Sequence, residues 1–168
     1  MTSSIVSLSA EIIPQLCATN GGNGWKNDRA SWEHKLADQA NGVRYTLVIL
    51  NDSVPIGYGS LVWRSGYPPF AEASIPEISD VSVSADYRRR GFGRKLIEAL
   101  EQYAVLAGHT TIGIGVGLYA DYGSAQRLYI KLGYLPDGRG IAYTGSPVTP
   151  GDTVRIDDDA CLFLTKML

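Results

Sequence analysis

Two cysteines and two histidines are all this chain of 168 residues offers to a disulfide framework or a soft metal. Cys17 and Cys161 stand far apart with no catalytic signature beside either. His34 and His109 lack cysteine or acidic partners at ligand spacing, so no metal is expected. No apolar run approaches the ~20 residues that span a bilayer, which excludes an integral membrane protein. The segment MTSSIVSLSAEI lacks a basic region followed by a long apolar stretch. A reduced, cytoplasmic setting is the expectation. Nor is there an excess of one charge: 15 Lys plus Arg face 17 Asp plus Glu, so no global field argues for nucleic acid or an anionic membrane. Internal repeats and low-complexity segments are also missing. What remains is 45% hydrophobic content, enough for one substantial core, and residues 1–168 read as a single domain.

Strands and helices alternate along the chain. Residues 5–9 read as a strand and 11–18 as a short helix that tolerates Pro14 near its first turn. NGGNG at 20–24 reads as a break. Ser31 is the expected N-cap of a helix through Trp32, Leu36 and Gln39 that stops at Asn41-Gly42. Residues 45–50 and 55–64 read as strands joined by a hairpin turn at Asn51-Asp52-Ser53, and 65–76, with its prolines and glycines, as a loop. Further on, 139–144 and 161–166 are strand candidates around the turn-rich 145–159. The pattern predicts an α/β fold: a mixed central β-sheet flanked by helices.

The densest information lies between residues 77 and 134. EISDVSV (77–83) reads as a strand, YRRRGFG (87–93) as a turn and RKLIEALEQYAVLA (94–107) as an amphipathic helix. Glycine at 91 and 93 opens the backbone at a helix start, where successive N–H groups meet an anion; Arg88, Arg89, Arg90 and Arg94 add positive charge. A P-loop requires Lys then Ser or Thr after its second glycine, and here Arg94 and Lys95 follow Gly93; a dinucleotide fingerprint requires a third glycine, and position 96 is Leu96. A nucleic-acid patch lacks support from an RNP-like aromatic pattern or from excess basic charge.

Downstream, TIGIGVGL (111–118) reads as a β-branched, glycine-alternating strand, and DYGSAQRLYIKLGY (121–134) as a second helix. Asp121 is its expected N-cap, Ala125, Leu128, Tyr129 and Leu132 form its apolar stripe, and Gly133 suits a left-handed C-cap. Arg88-x-x-Gly91-x-Gly93 after a strand, followed by Ala125, Tyr129, Gly133 and Tyr134 in an Ala-x-x-x-Tyr-x-x-x-Gly-aromatic pattern, resembles the GNAT N-acetyltransferase superfamily, which has the acyl-CoA N-acyltransferase fold.

That resemblance implies an enzyme moving an acetyl group from acetyl-CoA to a primary amine. It places the pyrophosphate on the backbone of Arg89, Arg90, Gly91, Phe92, Gly93 and Arg94, with Arg88 beside it. It sets the pantetheine arm along Val81, Ser82 and Val83. Tyr122 stands where the family often has an Asn that contacts this arm, and Ser124 is the substitute polar contact. Tyr129 takes the role of general acid toward the departing thiolate. Glu77, six residues before Val83, matches the strand glutamate that some members use as a base; Asp80, on the opposite face by simple alternation, and a water chain are the other candidates. A homodimer, through strand edges near the C-terminus and the apolar stretch 161–164, also follows from the resemblance. The alternative is a non-catalytic domain that binds acyl-CoA as a sensor.

Three readings stay open at this level. Gly113, Gly115 and Gly117 permit either a splayed strand or close packing against a helix. Asp157, Asp158 and Asp159 form either a solvated loop or a cation-attracting rim. Trp25, Trp32, Trp63, Tyr67 and Phe70 line an acceptor pocket or fill a core. Acceptors from polyamine and aminoglycoside to amino acid and protein N-terminus fit these motifs equally.

Overall fold

The computed structural model describes residues 2–23 and 25–168. In chain order the first elements are β1 (Ser3–Ser7), α1 (Ile13–Asn23), α2 (Arg29–Ala40), β2 (Arg44–Asn51) and β3 (Val54–Val62). Next come α3 (Pro68–Glu72), β4 (Glu77–Val83), α4 (Phe92–Leu106) and β5 (Thr111–Gly117). The chain ends with α5 (Gly123–Lys131), β6 (Leu135–Tyr143), β7 (Ser146–Pro147) and β8 (Ala160–Met167). This is a mixed α/β fold with a central, mostly antiparallel sheet and flanking helices, the class the sequence predicts. Among the described residues no helix is long and apolar enough to cross a membrane. The chain divides into two compact units, Met1–Trp63 with Ile78–Tyr103, and Arg64–Glu77 with Ala104–Leu168.

In the first unit the strands follow the order β1-β2-β3-β4. β1 and β3 both pair antiparallel with β2, and Asn51 opposite Val54 leaves Asp52 and Ser53, at φ 46° and 69°, as a two-residue hairpin turn. Two positive φ values in sequence match the right-handed twist of the flanking strands. Ile13 and Leu16 of α1, Trp32 of α2, Val48 of β2 and Tyr58 of β3 share one buried cluster with Trp25. α4 sends Leu96, Ile97 and Leu100 inward. A Cβ on Gly59 would stand 3.2 Å from a methyl of Leu100, so a strand without a side chain there receives the helix.

Several local expectations need correction. α1 continues through residues 20–23, where a break was expected, while Gly24 lies outside the described residues. Glycine costs a helix only about 1 kcal/mol per residue, and the burial of Ile13 and Leu16 outweighs that. Asp28, not Ser31, caps α2: its Oδ1 accepts the Ser31 N–H at 2.8 Å and the Ser31 hydroxyl at 2.7 Å. The stop at Asn41, with Gly42 at φ 69°, is as expected.

In the second unit the order is β5-β8-β6-β7. β8 pairs antiparallel with β5 from Met167 opposite Thr111 to Cys161 opposite Gly117. On its other side β8 pairs with β6, whose register shifts between Pro136 and Ile141 around Gly138 and Gly140, at φ 83° and 74°. That bulge hid the start of β6, which begins at Leu135 and not near 139. The stretch expected as loop contains α3, since Pro68 and Pro69 occupy a first turn where missing N–H groups are harmless. α3 buries Phe70 against Tyr67 and Phe163. Asp121 lies in a single 3-10 turn, Ala120–Tyr122, and does not cap α5. The far end is as expected: with Gly133 at φ 92°, its N–H reaches the Ile130 carbonyl and the Tyr134 N–H reaches that of Tyr129, both at 3.0 Å.

The β5 glycines fit close packing. A Cβ on Gly113 would come within 2.1 Å of the Phe70 ring, and one on Gly117 within 2.4 Å of the Tyr122 ring.

Candidate functional site

In the first unit, β4 is followed by the turn that leads into α4. Arg88 is extended, Arg89 takes φ 61° and Gly91 φ 86°. The Gly91 carbonyl accepts the Lys95 N–H at 3.0 Å and so opens the first turn of α4. Among the described residues the backbone N–H groups of 89–94 donate no hydrogen bond. A run of free donors at the start of a helix is the arrangement that receives phosphate oxygens. Arg88, Arg89 and Arg90 are exposed and form no ion pair among the described residues. Arg88 turns its Nε to the Val83 carbonyl at 3.0 Å, and Arg90 lies 5.4 Å from the Tyr87 ring centroid. Arg94 pairs with Glu98 at 3.3 Å, one turn along α4.

Val81, Ser82 and Val83 are half-buried along β4. A Cβ on Gly57 would stand 2.8 Å from the Ser82 carbonyl oxygen, a close approach the sequence reading missed. The strand is irregular at Asp80, which takes φ 58°. Lys35 donates to its Oδ2, Arg44 reaches the same oxygen at 3.2 Å, and the Arg44 Nε binds Asp38 at 3.0 Å. The second candidate base is thus engaged by two cations.

Glu77 belongs to the second unit. Its Oε2 accepts a hydrogen bond from the Ser65 hydroxyl, and the Ser65 oxygen in turn accepts the Tyr67 N–H at 2.9 Å. Tyr129, on α5, is 7% exposed. Burial pushes that phenol up to about 12. The two predicted catalytic residues make no hydrogen bond to each other.

Tyr122 covers Gly117 and donates its hydroxyl to Asp158 Oδ1 at 2.8 Å, an oxygen that also accepts from Tyr119. Burial, and then Asp158, push the Tyr122 hydroxyl upward. Ser124 is exposed on the first turn of α5. Gln126 holds the Gly117 carbonyl at 2.8 Å, tying α5 to the end of β5. Asp157 accepts from the Tyr143 hydroxyl at 3.2 Å, so two members of the acidic run are bound by tyrosines and do not simply face water. Cys161 is half-buried; burial, then Glu77 and the three aspartates, push its thiol up to about 11. His34 is exposed on α2, 3.7 Å from Asp38. Among the described residues no group of three or more His, Cys, Asp or Glu is placed to hold a metal ion.

Of the aromatics that fit an acceptor pocket or a core equally, Trp25 and Trp32 are core, packed edge to face with Tyr58. Tyr67 and Phe70 are also buried. Trp63 is half-buried. What the sequence reading missed is Ser65, whose partner lies twelve residues away across α3.

The Acetyltransferase (GNAT) family profile matches residues 16–134, and the chain belongs to that family. No curated protein matches it by sequence. Among solved structures, an N-acetyltransferase from Staphylococcus aureus Mu50 aligns over 99% of each chain with a TM-score of 0.71 and 14% identity. The yncA protein of Salmonella typhimurium, determined with its cofactor acetyl-CoA, aligns over 99% of this chain and 94% of its own, with a TM-score of 0.68 and 18% identity. The PaiA N-acetyltransferase of Thermoplasma acidophilum, in complex with coenzyme A, covers 100% of both chains with a TM-score of 0.65 and 16% identity.

Proposed function

We propose that this chain, acting as one domain over residues 1–168, transfers an acetyl group from acetyl-CoA to a primary amine by direct attack. The observation that carries the reading is the run of N–H donors at 89–94 that, among the described residues, donate no hydrogen bond, beside three arginines that form no ion pair there. Those residues fit a pyrophosphate: the donors point to negative charge, and positive φ at Arg89 and Gly91 forms the concave backbone such a group enters. Val81, Ser82 and Val83 serve the pantetheine arm, with Tyr122 and Ser124 as further contacts.

In the proposed reaction Glu77 takes a proton from the ammonium form of the acceptor, whose ordinary pKa is about 10.4. The free nitrogen lone pair attacks the thioester carbonyl carbon, and the C–S bond breaks as the amide forms. The sulfur receives a hydrogen bond, and finally a proton, from Tyr129, while the second proton lost by the nitrogen as the amide forms passes through solvent and restores the phenol. A phenol near 12 stays protonated at neutral pH but is a weaker acid than a thiol of about 8.5, so its main contribution is the hydrogen bond to sulfur as charge develops there. Cys161 supports direct transfer, since a thiol held near 11 is not a ready nucleophile. A homodimer and a cytoplasmic setting accompany this reading. The exposure of Leu135 on β6 and Met167 on β8, at 66% and 84%, supports the former, whereas Phe163 and Leu164 of the stretch 161–164 are buried in the core and offer no surface to a partner.

Calorimetry with acetyl-CoA tests the assignment, the expected result being one site per chain. Gly91→Val forces a branched side chain into φ 86° and crowds the cradle, so it should weaken binding at least tenfold. Equal affinity in parent and variant would sink the assignment.

A further inference from the structure

Ser65 is 4% exposed, and its hydroxyl has a single proton to give. Its oxygen already accepts the Tyr67 backbone N–H, so that proton is directed to the Glu77 carboxylate. The residue supplying the N–H is locked in place. The Tyr67 ring lies flat on Phe163, with centroids 3.8 Å apart and planes 2° from parallel. Phe70 meets it edge to face at 5.0 Å, and the Tyr67 hydroxyl donates to Asp137 Oδ2 at 2.9 Å. The packed Tyr67 thus sets the N–H that occupies the Ser65 oxygen and leaves the Ser65 proton to Glu77.

We propose that Ser65 is a positioning residue for the base: its buried hydroxyl, aimed by Tyr67, orients the Glu77 carboxylate and favours its anionic form. The inference rests on the assignment of Glu77 as base given above. Glu77 shares the surroundings of the Cys161 thiol with Asp157, Asp158 and Asp159, and Asp137 lies at the far end of Tyr67. Clustered negative charge favours protonation of a carboxylate. A hydrogen bond donated to the anion works in the opposite direction. A serine that merely stapled the turn before α3 would affect stability and leave the titration of Glu77 untouched.

The test is a carboxyl carbon-13 NMR titration of protein labelled at its glutamates, with the Glu77 signal assigned by its loss in Glu77→Gln. In Ser65→Ala the midpoint should rise by about one pH unit, as expected when a hydrogen bond to a charged group is deleted. Ser65→Thr, which retains the hydroxyl, should titrate like the parent. Should circular dichroism show that Ser65→Ala does not fold, Ser65→Cys, a weaker donor of similar volume, is held to the same criterion. An unshifted midpoint overturns the inference. The base assignment stands on a separate measurement: the acidic limb of kcat/KM for an amine acceptor must vanish in Glu77→Gln. A limb that persists there defeats the assignment, whatever the titration shows.

Discussion

Gly117 and Tyr122 occupy one space. A Cβ on Gly117 would stand 2.4 Å from Cδ2 of the Tyr122 ring, so the last residue of β5 is a glycine because the tyrosine lies over it. The same tyrosine is fixed by its hydrogen bond to Asp158, which makes the glycine a condition of that contact. Gly117→Ala should therefore displace the ring and cost about 1–3 kcal/mol, in line with overpacking elsewhere. Chemical denaturation checks the loss, and Tyr122→Ala in the same background should recover most of it.

Asp80 and Glu77 should separate cleanly by mutation. Asp80→Asn weakens the hold on Lys35, whose side chain is only 11% exposed, and on Arg44. It is expected to lower stability by about 1–3 kcal/mol while leaving the acidic limb of the pH–rate profile in place. Glu77→Gln should do the reverse, abolishing the limb with little effect on unfolding. Denaturant midpoints and kcat/KM from pH 5 to 9 read both.

Tyr129 gives a signature at alkaline pH. Its phenol is raised from 10.0 to about 12 by burial, so between those values the unfolded chain loses the proton first. Stability is then complete below about 10 and falls as pH rises toward 12, by roughly 3 kcal/mol across the window. Tyr129→Phe has no such proton, and its unfolding free energy should decline less steeply over that range. Tyr67, also raised to about 12, remains in both proteins and cancels in the comparison. Identical slopes would contradict the burial of the hydroxyl in a neutral form.

The arginines should act on affinity and on salt dependence together. Arg88→Ala, Arg89→Ala and Arg90→Ala are each expected to weaken acetyl-CoA binding by about three- to tenfold, because exposed charges are partly screened. Their effects should shrink as salt rises from 0.05 M to 0.5 M. Calorimetry at the two ionic strengths checks it.

Local signals were legible and distant ones were not. The turn at 88–94 and the Tyr129 stripe rest on spacing within one element, where the periodicity of a helix and the steric freedom of glycine act directly. The hairpin at Asp52-Ser53 is equally local. Ser65 bound to Glu77, Tyr119 and Tyr122 bound to Asp158, and Lys35 bound to Asp80 join residues between 12 and 45 positions apart, and no propensity encodes such a meeting. α3 was hidden because Pro68 and Pro69 read as loop residues, yet they occupy the helix start they tolerate. Asp28 outcompeted Ser31 as a cap by binding both its N–H and its hydroxyl.

Direct transfer from acetyl-CoA to an amine is checked by incubating the protein with acetyl-CoA labelled in its acetyl group and a panel of primary amines. Label should appear on an amine product as free thiol is released, with none retained covalently on the protein, and turnover should be at least a hundredfold lower in Tyr129→Phe with acetyl-CoA affinity preserved. Label held on the protein, or binding of acetyl-CoA with no thioester turnover on any amine, would contradict it.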